Sequence, residues 1–225
     1  MSTPGRPNGE SPRAQRDGLP VNAPEVDAPR AGSLRSDLRL IADWIAPGSA
    51  VLDLGCGDGV LLAHLRDTQQ CRGYGVEIDD GLVLQCVKRG VNVAQANLDA
   101  GLRLFPDDAF DTVVLSQTLQ AMHRVEAVLR EMARVARRGI VSFPNFGHWR
   151  HALSLLGGRM PVTKTIPYEW HDTPNIHLCT PRDFEILAAR LGLKITDRAL
   201  LAEGRPVSLL PALRATLAIY RFRTR

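Results

Sequence analysis

Two hydrophobic patterns alternate along this chain between residues 50 and 144. Short runs rich in Val, Leu and Ile predict buried strands, and these runs lie at residues 51–54, 73–79, 91–95, 110–115 and 140–144. Between them, apolar residues spaced three or four positions apart predict amphipathic helices. Strands that alternate with helices favour parallel pairing with helices on both faces of the sheet. The pattern therefore predicts an α/β fold around a mainly parallel sheet.

Helical spacing and end signals predict five helices. They lie at residues 33–45, 60–65, 79–89, 123–137 and 183–191. In the third helix we expect Asp79 to cap the N-terminus. That helix is also expected to bury four side chains, namely Leu82, Val83, Cys86 and Val87. The fourth helix should carry arginines on a solvated face, among them Arg137 and Arg138.

The C-terminal part of the chain contains two further predicted strands. Residues 193–196 and 217–222 are short apolar runs that we expect to pair antiparallel and close the sheet. Added to the five strands above, they make a seven-stranded sheet.

A glycine-rich turn follows the first predicted strand. Gly55, Gly57 and Gly59 occupy alternating positions directly before a stretch with a helical apolar face. Glycine allows a sharp turn and a close approach of a ligand, and the helix N-terminus adds free N–H groups. The spacing differs from the G-x-G-x-x-G of dinucleotide-binding folds. Residues 51–59 resemble the first motif of class I S-adenosylmethionine-dependent methyltransferases, which implies a Rossmann-like methyltransferase fold.

A carboxylate ends the second predicted strand. Glu77 lies 18 residues after Gly59, about where doubly wound nucleotide-binding folds place a ribose-binding acid. Its two oxygens can accept hydrogen bonds from both ribose hydroxyls, and its charge would repel a 2′-phosphate. The glycine turn and Glu77 together predict a nucleotide-type site.

The ends of the third and fourth strands supply further candidates. The methyltransferase resemblance implies that an acidic or amide side chain meets the adenine there, and Asn97 and Asp99 both qualify. Ser116 lies at the sheet edge where open α/β sheets bind ligands. The residues expected to bind S-adenosylmethionine or S-adenosylhomocysteine are Asp53, Gly55, Cys56, Gly57, Gly59, Glu77, Ile78, Asn97, Leu98, Asp99 and Ser116.

Composition predicts one cytoplasmic domain, at residues 32–225, behind a disordered tail. Residues 1–31 contain six of the 15 prolines and few large apolar groups. No apolar run is long enough for a bilayer, and the N-terminus lacks a signal-peptide core. The four scattered cysteines predict free thiols. The net charge of +4 is mild, and the tail's charges balance, which argues against nucleic acid as a partner.

Residues 145–180 interrupt the regular pattern. The segment contains Phe146, Trp149, Tyr168 and Trp170, although the whole chain has only 12 Phe, Trp and Tyr residues. A long irregular insertion is usually functional, so we expect a lid or a docking surface above the sheet edge; a packed loop covering the core is the alternative.

Histidines also cluster in this segment. The cluster consists of His148, His151, His171, His177 and Cys179. Their spacing does not match that of zinc ligands, so we do not predict a metal site. A general base at His171 or His177 is chemically plausible, but no catalytic residue is assigned and the roles of the four histidines stay open.

Four blocks resemble the MetW family of bacterial methionine-biosynthesis proteins. They lie at residues 115–121, 143–149, 158–161 and 173–180. The resemblance covers about residues 34–203 and implies a partner, homoserine O-acyltransferase, whose full activity would need this chain. It implies no methyl acceptor. The family often has an acid where Asn97 stands, which leaves adenine contact there open.

Two other functions compete with an accessory role. One is an active methyltransferase on an unknown small molecule, because methyl transfer mainly needs positioning. No Asn-Pro-Pro-Tyr motif follows the fourth strand, where Leu115-Ser116-Gln117-Thr118 stands instead. The other is an RNA methyltransferase, suggested only by the basic balance and by Arg221, Arg223 and Arg225.

Overall fold

A single mixed sheet organises the protein, a computed structural model that describes residues 34–163 and 165–223. The strands are β1 (Ala50–Leu54), β2 (Arg72–Glu77), β3 (Asn92–Gln95), β4 (Phe110–Ser116), β5 (Ala136–Pro144), β6 (Lys194–Ala202), β7 (Arg205–Pro206) and β8 (Leu217–Arg223). Their order across the sheet is β3-β2-β1-β4-β5-β8-β6-β7. Strands β1 to β5 pair in parallel, and β8 is antiparallel to both β5 and β6. The predicted tail at residues 1–31 lies outside the described residues.

The helices lie in two layers, one on each face of the sheet. They are α1 (Ser36–Asp43), α2 (Val60–Gln69), α3 (Asp80–Lys88), α4 (Val125–Val135), α5 (Trp149–Leu156), α6 (Pro181–Arg190) and α7 (Pro211–Arg214). One core cluster joins α1, α2 and α3 to the sheet, and the other joins α4 and α6 to the opposite face. The predicted α/β class, the parallel pairing and the closing antiparallel pair are confirmed.

The predicted strand count was low by one. Among the described residues the sheet has eight strands, because the two-residue strand β7 pairs antiparallel with the end of β6. Glu203 and Gly204 form the connecting turn, with φ of 50° and 75°. Two paired residues leave no hydrophobic periodicity, so the sequence pattern gave no signal for this strand.

The boundary between α4 and β5 was also predicted wrongly. Arg137 and Arg138 lie in β5 and not on a helix surface, since α4 ends at Val135. Ala136 pairs with Phe110 of β4, and Arg138 pairs on the other side with Arg223 of β8. These ladders override the helical preference of the local sequence.

One predicted helix packs differently from the expectation, and one helix was not predicted. Of the four side chains that α3 was expected to bury, only Cys86 is buried. Leu82 and Val83 are half-buried, and Val87 is 60% exposed. Because α3 lies over β2 and the edge strand β3, only a narrow stripe of the helix contacts the sheet. The segment 145–180, predicted to be irregular, contains the eight-residue helix α5.

The sheet order places a cleft between β1 and β4. The chain runs from β1 through β2 to β3 on one side of β1, and then crosses from β3 to β4 on the other side. In open α/β sheets, ligands bind at such a switch point beyond the carboxyl ends of the strands. The glycine turn after β1 and the loop after β4 are in close contact at this edge. A Cβ atom at Gly55 would lie only 2.7 Å from Thr118 Oγ1, so there is no room for a side chain at this position.

Candidate cofactor site

The three glycines after β1 all adopt left-handed backbone conformations, with φ of 69°, 58° and 77°. A Cβ at Gly59 would lie 3.0 Å from Cys86 Sγ, so this glycine permits close packing against α3. At Gly57, an added Cβ would meet no described atom within 4 Å. The middle glycine therefore presents bare backbone to open space, where a ligand can approach.

Glu77 is held at the end of β2 by backbone N–H groups. Its Oε2 accepts a hydrogen bond from the Gly57 amide at 2.9 Å. Its Oε1 accepts from Ile78 at 2.7 Å and from Asp79 at 3.1 Å. The carboxylate is thus fixed in direction against the glycine turn, and Oε2 keeps a lone pair for a further donor.

Asp53 is a buried carboxylate with an unsatisfied oxygen. Its Oδ1 has no hydrogen-bond partner within the described part of the chain, and the side chain lies at the end of β1. Burial first, and then the charge of Glu77, raise the pKa of Asp53 from 3.8 to about 7, while Arg35 opposes them. A buried acceptor without a partner is rare, and a cationic ligand would satisfy it.

A polar network from α1 covers the same edge. Arg35 donates two hydrogen bonds to the buried carboxylate of Asp37, at 3.2 and 3.0 Å. The Gln117 amide donates to the same carboxylate at 2.8 Å. Gln117 itself has a φ of 51° and donates its backbone N–H to Ser142. The Gln117–Asp37 hydrogen bond therefore ties the start of α1 to the loop after β4.

The two candidate adenine contacts differ in what already binds them. Asp99 accepts hydrogen bonds from the backbone N–H groups of His123 and Arg124, at 3.1 and 3.2 Å. Burial would raise the pKa of Asp99, but the bonds from His123 and Arg124 outweigh it and lower the pKa. Asn97 is exposed and accepts only from the Asp99 amide at 2.9 Å. Asp99 therefore stabilises the loop before α4, while the side-chain N–H groups of Asn97 are available to a ligand.

The remaining predicted residues occupy different environments. Ile78 is 51% exposed beside Glu77, whereas Leu98 is buried in the core. The Cys56 thiol lies 3.8 Å from that of Cys86, and burial raises its pKa far above the ordinary range. Ser116 bonds its hydroxyl to that of Ser142 at 3.1 Å. Cys56 and Leu98 can thus offer a ligand only backbone groups.

The segment 145–180 is bonded to the loop after β4, and its two ends are bonded to each other. The carbonyl of Gln120 accepts hydrogen bonds from the amides of Ile176 and His177, at 2.9 and 3.0 Å. Phe146 donates its amide to the Cys179 carbonyl at 3.0 Å. A mostly apolar cavity of about 550 Å³ opens beside this junction, lined by Gln120, His177 and residues of α4 and α6.

The histidines of this segment serve different contacts. His151 is buried, with Nδ1 3.1 Å from the Phe146 carbonyl and Nε2 3.2 Å from Thr163 Oγ1. His171 is exposed, 3.6 Å from Glu169. Across the described ranges, with their gap at residue 164, no three His, Cys, Asp or Glu side chains are grouped to hold a metal ion.

Comparison with known proteins assigns the family. The model of the family "Methionine biosynthesis protein MetW" matches residues 35–222. The chain belongs to the MetW family. A curated relative, the "Bifunctional methionine biosynthesis protein MetXA/MetW" of Rhodopirellula baltica, is 39% identical over 177 residues, which are 73% of this chain. The chain spans about a quarter of that relative's length, since the match covers 28% of it.

Solved structures of S-adenosylmethionine-dependent methyltransferases share this fold. An S-adenosylmethionine-dependent methyltransferase from Mesorhizobium loti superposes with a TM-score of 0.63 at 16% identity, covering 83% of this chain and 95% of that one. The [4+2]-cyclase SpnF has a TM-score of 0.60 at 17% identity, covering 83% and 79%. The methyltransferase fold of this MetW-family chain is therefore shown. None of the helices described for it has the length and apolar character of a membrane span.

In this MetW-family chain, the sequence patterns missed three residues that lie beside the candidate cofactor site. Arg35, Asp37 and Gln117 come together across 80 positions of sequence, as the Gln117–Asp37 bond shows. The only local signal was the position of Gln117 directly after a buried strand. Arg35 and Asp37 looked like ordinary polar positions before and within an amphipathic helix.

Proposed function

We propose that this chain is a cytoplasmic accessory protein of homoserine O-acyltransferase that binds S-adenosylmethionine or S-adenosylhomocysteine. The proposed partner is supported by one observation, the Rhodopirellula baltica relative, whose name joins MetXA and MetW in one polypeptide. Covalent joining keeps two activities at high local concentration. Where the two proteins are separate chains, as we propose here, they would instead associate through a binding surface.

The residues around the glycine turn fit the proposed cofactor. Glu77 has a free lone pair beside the turn for a ribose hydroxyl. The unsatisfied oxygen of Asp53 suits a cationic group, and S-adenosylmethionine carries a sulfonium and an ammonium. Ile78 offers an exposed apolar side chain to the adenine face. Asn97 is the better adenine partner, because both oxygens of Asp99 are engaged.

The chemistry does not require that the chain transfers a methyl group. When bound, S-adenosylmethionine supplies an electrophilic methyl group, and the residues named above would bind and orient it. The cyclase among the structural relatives supports the idea that this fold can serve other functions. A second candidate, methyl transfer to an apolar small molecule, is favoured by the 550 Å³ cavity beside Gln120 and His177.

Calorimetry with both cofactors tests the binding site. The variant Glu77→Gln keeps the shape but loses the charge, and its amide would face the N–H groups of Ile78 and Asp79. We expect affinity to fall at least about tenfold, because hydrogen bonds to a charged acceptor contribute about 1.5–3 kcal/mol. Glu126→Gln, on the exposed face of α4, is the control. Equal binding by Glu77→Gln and the control would refute the assignment.

A transfer assay separates the two candidate functions. Purified chain, S-adenosylmethionine and a small-molecule extract are incubated, and S-adenosylhomocysteine is measured. Multiple turnovers that depend on the extract would favour the methyltransferase. Cofactor binding without turnover would support the accessory role.

A further inference from the structure

Helix α5 buries polar side chains and exposes apolar ones. His148, at its N-cap, and His151 are 8% and 1% exposed. Trp149, Leu153 and Leu156 are 44%, 57% and 85% exposed. The three exposed positions are spaced i, i+4, i+7, so they form one stripe on the helix surface. An amphipathic helix in a globular protein normally turns this stripe toward the core.

Contacts of the buried histidines fix the rotation of the helix. Both ring nitrogens of His151 have partners, the Phe146 carbonyl and Thr163 Oγ1. His148 Nδ1 accepts the Arg150 amide at 3.3 Å, which caps the N-terminus. Burial lowers the pKa of both imidazoles, which favours the neutral forms that such an environment tolerates. Turning the stripe inward would break these bonds, so the exposure is built into the fold.

The surroundings of the stripe give it a chemical character. Residues 145–163 contain Arg150 and Arg159 and no Asp or Glu. The Arg150 guanidinium lies 5.3 Å from the centre of the Trp149 ring, as in a cation–π contact. Met160 and Val162, just beyond the helix, are also exposed. The surface is apolar at its centre and basic at its edge.

We propose that the stripe of Trp149, Leu153 and Leu156 is the docking surface for homoserine O-acyltransferase. The proposal rests on the accessory function above. Of 17 large apolar side chains exposed among the described residues, nine lie between positions 145 and 180, which marks this segment as the most apolar part of the surface. Trp, Tyr and Arg are enriched at interface hot spots, so Trp149 and Arg150 are the side chains expected to contribute most to binding. The partner surface is an apolar groove with an acidic edge, complementary to Arg150 and Arg159.

Charge variants of the stripe test the docking surface. The full chain with Leu153→Glu and Leu156→Glu is compared with wild type for binding to the same organism's acyltransferase, by gel filtration and calorimetry. The matched control is Leu84→Glu with Val87→Glu on α3, where both side chains are more than half exposed. We expect the α5 pair to weaken binding at least a hundredfold and the α3 pair to leave it within threefold. Arg150→Glu should weaken it at least tenfold and flatten its salt dependence.

Each outcome decides a different claim. Unchanged circular dichroism and cofactor affinity in the α5 variant establish that it is folded, since α5 lies outside the cofactor site. A wild-type chain that does not bind the acyltransferase overturns the accessory function and the docking surface together. Binding by wild type that survives the α5 charges overturns the docking surface alone. A wild-type dimer that the α5 charges convert to monomers would assign the surface to a second copy of this chain.

Discussion

Gly57 combines a left-handed backbone conformation with an open space where the proposed ligand would lie. Its φ of 58° is strained for any other residue, and its missing Cβ faces open space. Gly57→Ala should lower the free energy of unfolding by about 1–2 kcal/mol, the usual cost of a left-handed L-residue. It should also weaken cofactor binding at least about tenfold, because the methyl group enters the space proposed for the ligand.

Gly192 provides the matched control for this prediction. It has a φ of 72°, and an added Cβ there meets no described atom within 4 Å either. Gly192→Ala at the end of α6 should show the same loss of stability in urea unfolding with unchanged calorimetric affinity. Equal affinities of the two alanine variants would place the ligand elsewhere.

Asp53 makes stability depend on pH in a direction opposite to that of most acids. Burial and Glu77 raise its pKa from 3.8 to about 7, so between these values the folded state holds a proton that the unfolded chain has lost. This contribution to stability therefore falls as the pH rises from about 4 to 7, and it is level above that. Asp53→Asn should remove the effect and be more stable than wild type by about 2–4 kcal/mol at pH 8.

Urea unfolding at pH 4.5 and pH 8 checks the prediction. The stability difference between Asp53→Asn and wild type should be larger at pH 8 than at pH 4.5. A difference that does not change with pH would mean that Asp53 is ionised in the folded state throughout.

Single residues were predictable where chain-local geometry determines their role. Gly57 and Glu77 could be predicted because each lies at the end of a predicted strand. In the structure, a hydrogen bond joins the two residues. The unsatisfied oxygen of Asp53 was not predictable, because hydrogen-bond satisfaction depends on what the rest of the fold supplies. The Arg35–Asp37–Gln117 network was missed for the same reason.

At the level of elements, Asn145 joins the end of β5 to the C-terminal part of the chain. It is fully buried, and its Nδ2 donates to the carbonyls of Ala212 and Ala215, both at 2.8 Å. Its Oδ1 accepts the Gly147 amide at 2.9 Å. Asn145→Asp replaces the donor with an acceptor, so it should destabilise the protein by about 2–4 kcal/mol, because buried groups are left unpaired.

Limited proteolysis and urea unfolding test this joint. Cleavage of Asn145→Asp should begin between residues 145 and 180, since Asn145 anchors the start of that segment. Asn175→Asp, within the same segment but with only its backbone N–H bonded in the structure, serves as the control. Equal protease resistance of the two variants would contradict the anchoring role.

Element boundaries were predictable where hydrophobic periodicity and packing agree. The strands β1 and β4 are buried on both faces, so their apolar runs carried the signal. The start of β5 was not predictable, because Arg137 and Arg138 continue the charge pattern of the preceding helix although they lie in a strand. Helix α5 was missed because the segment around it is broken by glycine and proline.

For the whole molecule, the loop after β4 lies between the candidate cofactor site and the segment 145–180. Gln117 bonds to Asp37 on one side. The Gln120 amide donates to the Gln117 carbonyl at 2.7 Å, and the Gln120 carbonyl accepts from residues 176 and 177. These bonds form a continuous route between the candidate cofactor site and the segment 145–180.

The most direct test of the accessory role is the rate of homoserine acylation. The same organism's homoserine O-acyltransferase is assayed at fixed concentration with increasing amounts of this chain. We predict that the rate rises and saturates as the complex forms. An unchanged rate at every concentration of the chain would contradict the account.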